Sequence, residues 1–199
     1  YKADKVGVSL TVPANPFTRT GYSLTSKPWN TKADGSGTGY SANAAATFST
    51  STTLYSAWTA VGTTISAAAT SVSLVYSTSA QTVTTITAAG GGGKWTYTLT
   101  GTNADKFSIS PTDATTGKAT LSLKASVAVG TYKVQVKATS SYNGTSATTG
   151  EITVTVKEAT LNGSVTITGT AKYGETLTAN VTNTNSATLA YAWYSNSTN

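Results

Sequence analysis

The 199-residue sequence contains no cysteine, no histidine and no methionine. Without His or Cys there is no imidazole general base, no Cys–His or Ser–His nucleophile pair, and no zinc site of the usual nitrogen and sulfur ligands. Acids are scarce as well, with seven Asp and Glu in all. A carboxylate pair, a lysine base or an all-oxygen metal site would have to be assembled from those few groups. Charged residues make up 10% of the chain, against roughly 25% in an ordinary soluble domain. The expectation is a protein that is not an enzyme, with no catalytic residue, no cofactor site and no metal site.

Other absences narrow the class further. No cysteine means no disulfide framework, which by itself assigns no compartment. No apolar run approaches the ~18 residues of a membrane span, and no charged, apolar, small-residue signal opens the chain. The first residue is Tyr1 rather than Met, so the chain reads as processed or excised. Arginine is nearly missing: Arg19 stands alone beside twelve scattered lysines, although the net charge is +6. Nucleic-acid readers depend on Arg for bidentate contacts to bases and phosphates, so no nucleic-acid partner is expected. Lysines spread among Thr, Ser and Ala suit the polar faces and edges of strands instead.

What the sequence does contain is Thr, Ser, Ala and Gly, which supply 114 of the 199 residues. Period-two alternation runs through them. Over 94–100, Trp95, Tyr97 and Leu99 alternate with Thr96, Thr98 and Thr100; over 131–138, Tyr132, Val134 and Val136 alternate with Lys133, Gln135 and Lys137. Over 151–157, Ile152, Val154 and Val156 share one face and Thr153, Thr155 and Lys157 the other. Each predicts a half-buried antiparallel strand whose β-branched threonines keep their hydroxyls wet. Turn residues punctuate the runs at Gly90–Gly93, Asn103–Asp105, Pro111–Gly117, Gly130, Asn143–Gly144 and Asn162–Gly163. Strands every ten or so residues with such turns predict a β-sandwich. No segment sustains a 3.6-residue apolar period, and only the Ala-rich piece 42–46 could make a single helical turn.

The chain divides into an aromatic- and turn-rich part, 1–60, a near-complete set of sandwich strands, 61–158, and a further run of strands, 159–199. That last run has candidates at Val165–Ile167, Leu177–Val181 and Leu189–Tyr194. In the first part, Phe17-Thr18-Arg19-Thr20-Gly21-Tyr22, then Trp29 through the Asp34-Gly35-Ser36-Gly37-Thr38 turn, Tyr40, and Leu54-Tyr55-Ser56-Ala57-Trp58 resemble the Listeria–Bacteroides repeat. This is the β-grasp-like repeat of internalin B-type surface proteins. The resemblance covers about 10–58 and departs from the family pattern at Ser26-Lys27, which looks inserted, and at Pro28 before Trp29. The family's opening strand has no evident counterpart in 1–16.

The middle part, through Tyr97-Thr98-Leu99-Thr100-Gly101, Asp105, Phe107, Thr116-Gly117 and Gly130-Thr131-Tyr132, is similar to bacterial cadherin-like and Ig-like surface domains. Calcium does not carry over, because Asp105 and Asp113 are the only acids between Lys94 and Gly150 and Ca²⁺ asks for six to eight oxygens. Residues 161–199, through Gly163–Gly169, Gly174–Ala179 and Tyr191-Ala192-Trp193-Tyr194, resemble the first half of another Ig-like repeat. Without the rest of its sandwich, such a half would leave Val165, Ile167, Leu177 and Trp193 lacking a second layer.

Together these resemblances imply an all-β chain of tandem small modules and a non-enzymatic bacterial protein, secreted or at the cell surface. It would serve as an adhesin stalk segment or as a filament subunit that self-associates by strand complementation. The alternative is a module that binds a carbohydrate or host ligand. Trp29, Tyr40, Tyr55 and Trp58 are expected in a small core, as are Trp95 and Trp193, and the loop Gly90–Gly93 is expected to be flexible. Asp34–Gly37 reads as a turn rather than a calcium loop or phosphate cradle. Lys133 and Lys137 lie on the polar phase of their strand, which argues against a Lys–Asn isopeptide cross-link. Asn143, Asn162, Asn180 and Asn196 fit the N-glycosylation pattern, a short pattern that arises readily in a Thr- and Ser-rich chain.

Overall fold

The structure, a computed structural model, describes residues 2–3, 7–160, 163–182 and 190–194. The described residues are all-β, with one 3₁₀ turn among them at Ala104–Lys106. Among the described residues no helix is long and apolar enough to cross a membrane.

The first 60 residues carry β1 (Lys2–Ala3), β2 (Ser9–Thr11), β3 (Tyr22–Asn30), β4 (Gly39–Tyr40), β5 (Ala45–Thr47), β6 (Thr52–Thr53) and β7 (Tyr55–Ala60). Strands β4, β3 and β7 form one antiparallel sheet, while β2 pairs with β5 and β1 with β6. The Ala-rich piece 42–46 is therefore not helical: after a turn it runs into β5, where Leu10 lies opposite Ala46. The core here is small. Val12, Trp29, Ala46, Phe48 and Leu54 are buried, with Leu10 and Tyr40 packed against them.

The next hundred residues build a two-sheet sandwich of the Ig-like kind. Its strands are β8 (Thr63–Ala67), β9 (Ser71–Val75), β10 (Gln81–Gly90), β11 (Trp95–Thr100), β12 (Phe107–Ser110), β13 (Asp113–Ala114), β14 (Lys118–Leu123), β15 (Gly130–Ser140), β16 (Ser146–Thr148) and β17 (Ile152–Lys157). One sheet has the order β12-β14-β10-β8, the other β13-β11-β15-β17-β9 with β16 alongside β15. The chain changes sheets between β8 and β9, and β9 then runs parallel to β17.

The predicted alternation holds in the strands that face this core. Val134, Val136, Ala138, Ile152 and Val154 have no exposed surface; Trp95 and Tyr97 of β11 share their sheet, and Phe107, Leu121 and Leu123 face them from the other sheet. Burial of such side chains, at about 25 cal/mol per Å² of apolar surface, is the main stabilising term. Strand β10 breaks the alternation through a bulge between Thr82 and Thr84, so that Val83 and Thr84 are both buried before Ile86 and Ala88 resume the inward phase. The buried Thr84 hydroxyl is satisfied by Ala69 N–H at 2.9 Å. Tyr97 Oη donates to Gly117 O at 2.8 Å, and burial pushes its phenol pKa up.

Beyond residue 160 the described strands are β18 (Ser164–Thr168) and β19 (Thr178–Thr182), which pair only with each other among the described residues. The expected third strand does not form over 190–194, and Leu189 lies outside the described residues. Trp193, expected in a core, is 55% exposed, with no second layer over it among the described residues. Val165 and Ile167 are likewise exposed, at 65% and 61%.

Candidate functional site

Two arrangements stand out: a groove beside β3 and β7, and a polar clasp where the first sheets meet the sandwich. Both depend on irregularities in otherwise plain strands.

The groove begins with a bulge. Between Leu24 and Trp29, β3 carries three residues more than β7 does between Trp58 and Ser56. The extra length falls at Thr25–Pro28, the place where Ser26-Lys27 looks inserted in the sequence. Thr25 Oγ1 donates to Lys27 O at 2.7 Å and fixes the bulge. Beyond it Trp29 turns into the core, and its Nε1 donates to Pro13 O at 2.8 Å. On the far wall, the buried Asn30 holds the Asp34 turn. Its Oδ1 accepts from Lys32 N at 2.9 Å and Gly37 N at 3.0 Å, and its Nδ2 donates to Gly35 O and Gly37 O. Gly37 is required there, since a Cβ would fall 2.2 Å from Thr31 Oγ1. Asp34 Oδ1 accepts from Ser36 N and Oγ, and these bonds hold its carboxyl below the usual carboxylate range. The expected turn is thus present.

Between bulge and turn lies a cavity of about 670 Å³, bordered by Arg19, Tyr22, Lys27, Asp34 and Trp58. A second cavity of about 390 Å³ shares Arg19, Tyr22 and Trp58 with it. The Arg19 guanidinium stacks 3.7 Å from the centre of the Tyr22 ring. The four aromatics expected in the core therefore separate. Trp29 is buried and Tyr40 packs on the core, 5.2 Å from Phe48 between ring centres. Trp58 is half-buried in the groove wall and Tyr55 is 42% exposed. They depart from expectation because Trp29, Phe48 and Leu54 already fill the small cluster.

The clasp centres on Asn143, in the turn between β15 and β16. Its Nδ2 donates to Gly21 O and to Val61 O, the latter at 2.8 Å, while its Oδ1 accepts from Thr145 N at 3.0 Å and Thr145 Oγ1 at 2.8 Å. Val61 N–H donates to Gly21 O at 2.9 Å, and the Thr63 and Thr145 hydroxyls meet at 2.9 Å. Only Val61 and Gly62 connect β7 to β8. The turn Gly90–Gly93, expected to be a flexible loop, is wedged into this joint: Gly91 is buried and Ser140 Oγ donates to Gly91 O. A Cβ on Gly92 would sit 2.8 Å from Gly21 Cα, so the two backbones touch where neither has a side chain. The Asn143 side chain, a glycosylation candidate in the sequence, spends both amide hydrogens on the joint. Replacing it with alanine removes both donations from the joint, leaving Gly21 O only Val61 N–H at 2.9 Å and Val61 O only the Thr145 hydroxyl at 3.2 Å. Asn143→Ala is expected to cost about 1–3 kcal/mol and to speed amide exchange at Val61, as denaturant melts and hydrogen exchange will measure.

Other candidates resolve simply. Lys133 Nζ pairs with Glu151 Oε1 at 2.7 Å on the exposed face, and Lys94 pairs with Asp113 at 3.5 Å. Asp105 is held by Lys106 at 2.9 Å, which lowers its pKa and raises that of the lysine. Asn180 Nδ2 donates to Thr168 Oγ1 at 3.1 Å, and Asn162 and Asn196 lie outside the described residues. Among the described residues no group of three His, Cys, Asp or Glu side chains is placed to hold a metal.

Among solved structures the chain is similar to the D00-D0 domain of Intimin, at 15% identity and a TM-score of 0.33, over 76% of this chain and 94% of that one. No protein-family model and no curated protein matches the chain, so the family resemblances rest on the residues quoted for them.

Proposed function

We propose that this chain is a non-enzymatic structural protein of a bacterial surface, divided into units at 1–60, 61–158 and 159–199 and acting as a stiff stalk segment that holds a distal activity away from the cell. The observation that carries this reading is the joint. Two β units are separated by two residues, Val61 and Gly62, and clasped by Asn143, Thr145 and the Gly90–Gly93 turn rather than by a free linker. A spacer needs such joints, because the default between units with small polar interfaces is relative motion. The sequence supports the same reading, lacking the His and Cys of most catalytic sites. Antibodies against the chain should label intact source cells without permeabilisation. Labelling that appears only after lysis overturns the proposal.

Self-association is a second reading, favoured by the ribbon β18–β19. Its Val165 and Ile167 side chains are exposed, and its strand edges are unpaired among the described residues. Strands from a neighbouring copy would cover both, by β-augmentation. Sedimentation velocity over a concentration series should then show oligomers that persist in high salt. A monomer at every concentration contradicts this second reading and leaves the stalk proposal standing.

A further inference from the structure

We propose that the groove beside β3 and β7 binds an acidic saccharide, with Trp58 as the stacking platform and Arg19 and Lys27 as partners of the sugar's carboxylate or sulfate groups. This goes beyond the stalk reading and does not depend on it.

The first argument is charge left uncommitted. The ion pairs among the described residues are Lys94–Asp113, Lys106–Asp105 and Lys133–Glu151; neither Arg19 nor Lys27 takes part in one. Arg19 is nonetheless fixed, because the Tyr22 ring holds its planar face at 3.7 Å. A guanidinium held by its face keeps its N–H edges for a bidentate anion contact. Lys27 is placed too: its stem lies over Gly39, where a Cβ would come within 3.1 Å of it. The chain's net charge of +6 draws anions towards such a site.

The second argument is the mixture of surfaces. Trp58 borders both cavities, and an indole face packs well on the C–H face of a sugar ring. The Asp34 carboxylate has lone pairs beyond those taken by Ser36, so it can accept from sugar hydroxyls. The larger cavity, about 670 Å³, lies within the usual range for small-ligand sites. Other partners fit less well. A peptide would meet no regular edge on β3, because β4 takes up Trp29 and Asn30 and the bulge at Thr25–Pro28 breaks the ladder before them. Single-stranded nucleic acid needs a row of successive stacking faces, whereas Tyr22 is covered by Arg19 and Phe17 packs edge to face with Trp29, which leaves Trp58 as the face common to both cavities.

Calorimetric titration of the whole chain tests this with three probes: an oligogalacturonate, a dextran sulfate oligomer and a neutral dextran oligomer of matched length. At least one acidic probe should bind more than about ten-fold tighter than the neutral one. Trp58→Ala and Arg19→Gln should each weaken that binding about ten-fold or more, and Lys27→Gln should lessen its salt dependence. Lys27 is exposed, so its substitution leaves the fold intact and separates lost binding from lost structure. Equal binding of acidic and neutral probes, binding of none, or acidic binding unchanged in Trp58→Ala and Arg19→Gln overturns the proposal. So does tighter binding of a single-stranded oligonucleotide.

Discussion

Replacing Phe107 by alanine is expected to destabilise the sandwich by about 3–5 kcal/mol. The ring is 2% exposed and sits in β12, at the end of the four-stranded sheet, packed into the cluster that also holds Leu121, Leu123 and Trp95. An aromatic side chain removed from such a place takes its transfer free energy with it and leaves a cavity that β-sheet backbones, held by their ladders, cannot collapse to fill. For a unit of about this size the Tm should fall by more than about 10 °C. Thermal melts and the amide exchange rates of Val134, Val136 and Val154, which face the same core, provide the measurement. A loss below about 1 kcal/mol would mean that Phe107 is not a core residue.

Gly90→Ala has the second-largest expected effect, and it acts on the joint rather than on the core. Gly90 has φ +77°, a region where a Cβ is strained, and an added Cβ would lie 2.0 Å from the Gly62 carbonyl oxygen. That obstacle is backbone, so the two-residue connection itself must move. Left-handed strain and the clash together set the cost at about 2–4 kcal/mol. The displacement should be seen in amide exchange at Gly91, whose N–H donates to Gly62 O at 3.2 Å, and at Val61. Gly93→Ala is the matched control: it too has positive φ, at +92°, but nothing lies within 4 Å of its added Cβ. The joint predicts a clearly smaller loss there.

The central sandwich was readable from sequence where strands alternate cleanly. Val134 and Val136, and Ile152, Val154 and Val156, mark a single buried face, and the structure buries each of them. The Asp34 turn was readable for a similar reason, since its Gly and Asp residues have few other uses. Strand β10 was not, because the bulge at Val83–Thr84 shifts the inward phase by one residue and erases the alternation. Tyr55 and Trp58 were misplaced because their core positions were expected from the family resemblance; three residues apart on β7, they point to opposite faces, so both cannot meet one small core. The five-residue core already holds the rings of Trp29 and Phe48, with Tyr40 packed against it.

The functional features were the least legible. Asn143 looked like a glycosylation acceptor because its meaning lies in Gly21 and Val61, 122 and 82 residues away in sequence. The Gly90–Gly93 run suggested flexibility, whereas its missing side chains let one backbone pack on another. The same holds for Arg19 and Trp58, which share the groove although β3 lies between them in the chain. What could have flagged the groove was the inserted Ser26-Lys27, since extra residues in a strand must bulge.

The central claim is that the joint between the first sheets and the sandwich is stiff. Residual dipolar couplings measured on the whole chain test it most directly. The account predicts that one alignment tensor fits the backbone N–H vectors of β3 and β7 together with those of β10, β11, β14, β15 and β17. Two tensors of different magnitude, one for each unit, would mean that the units move independently and would contradict it.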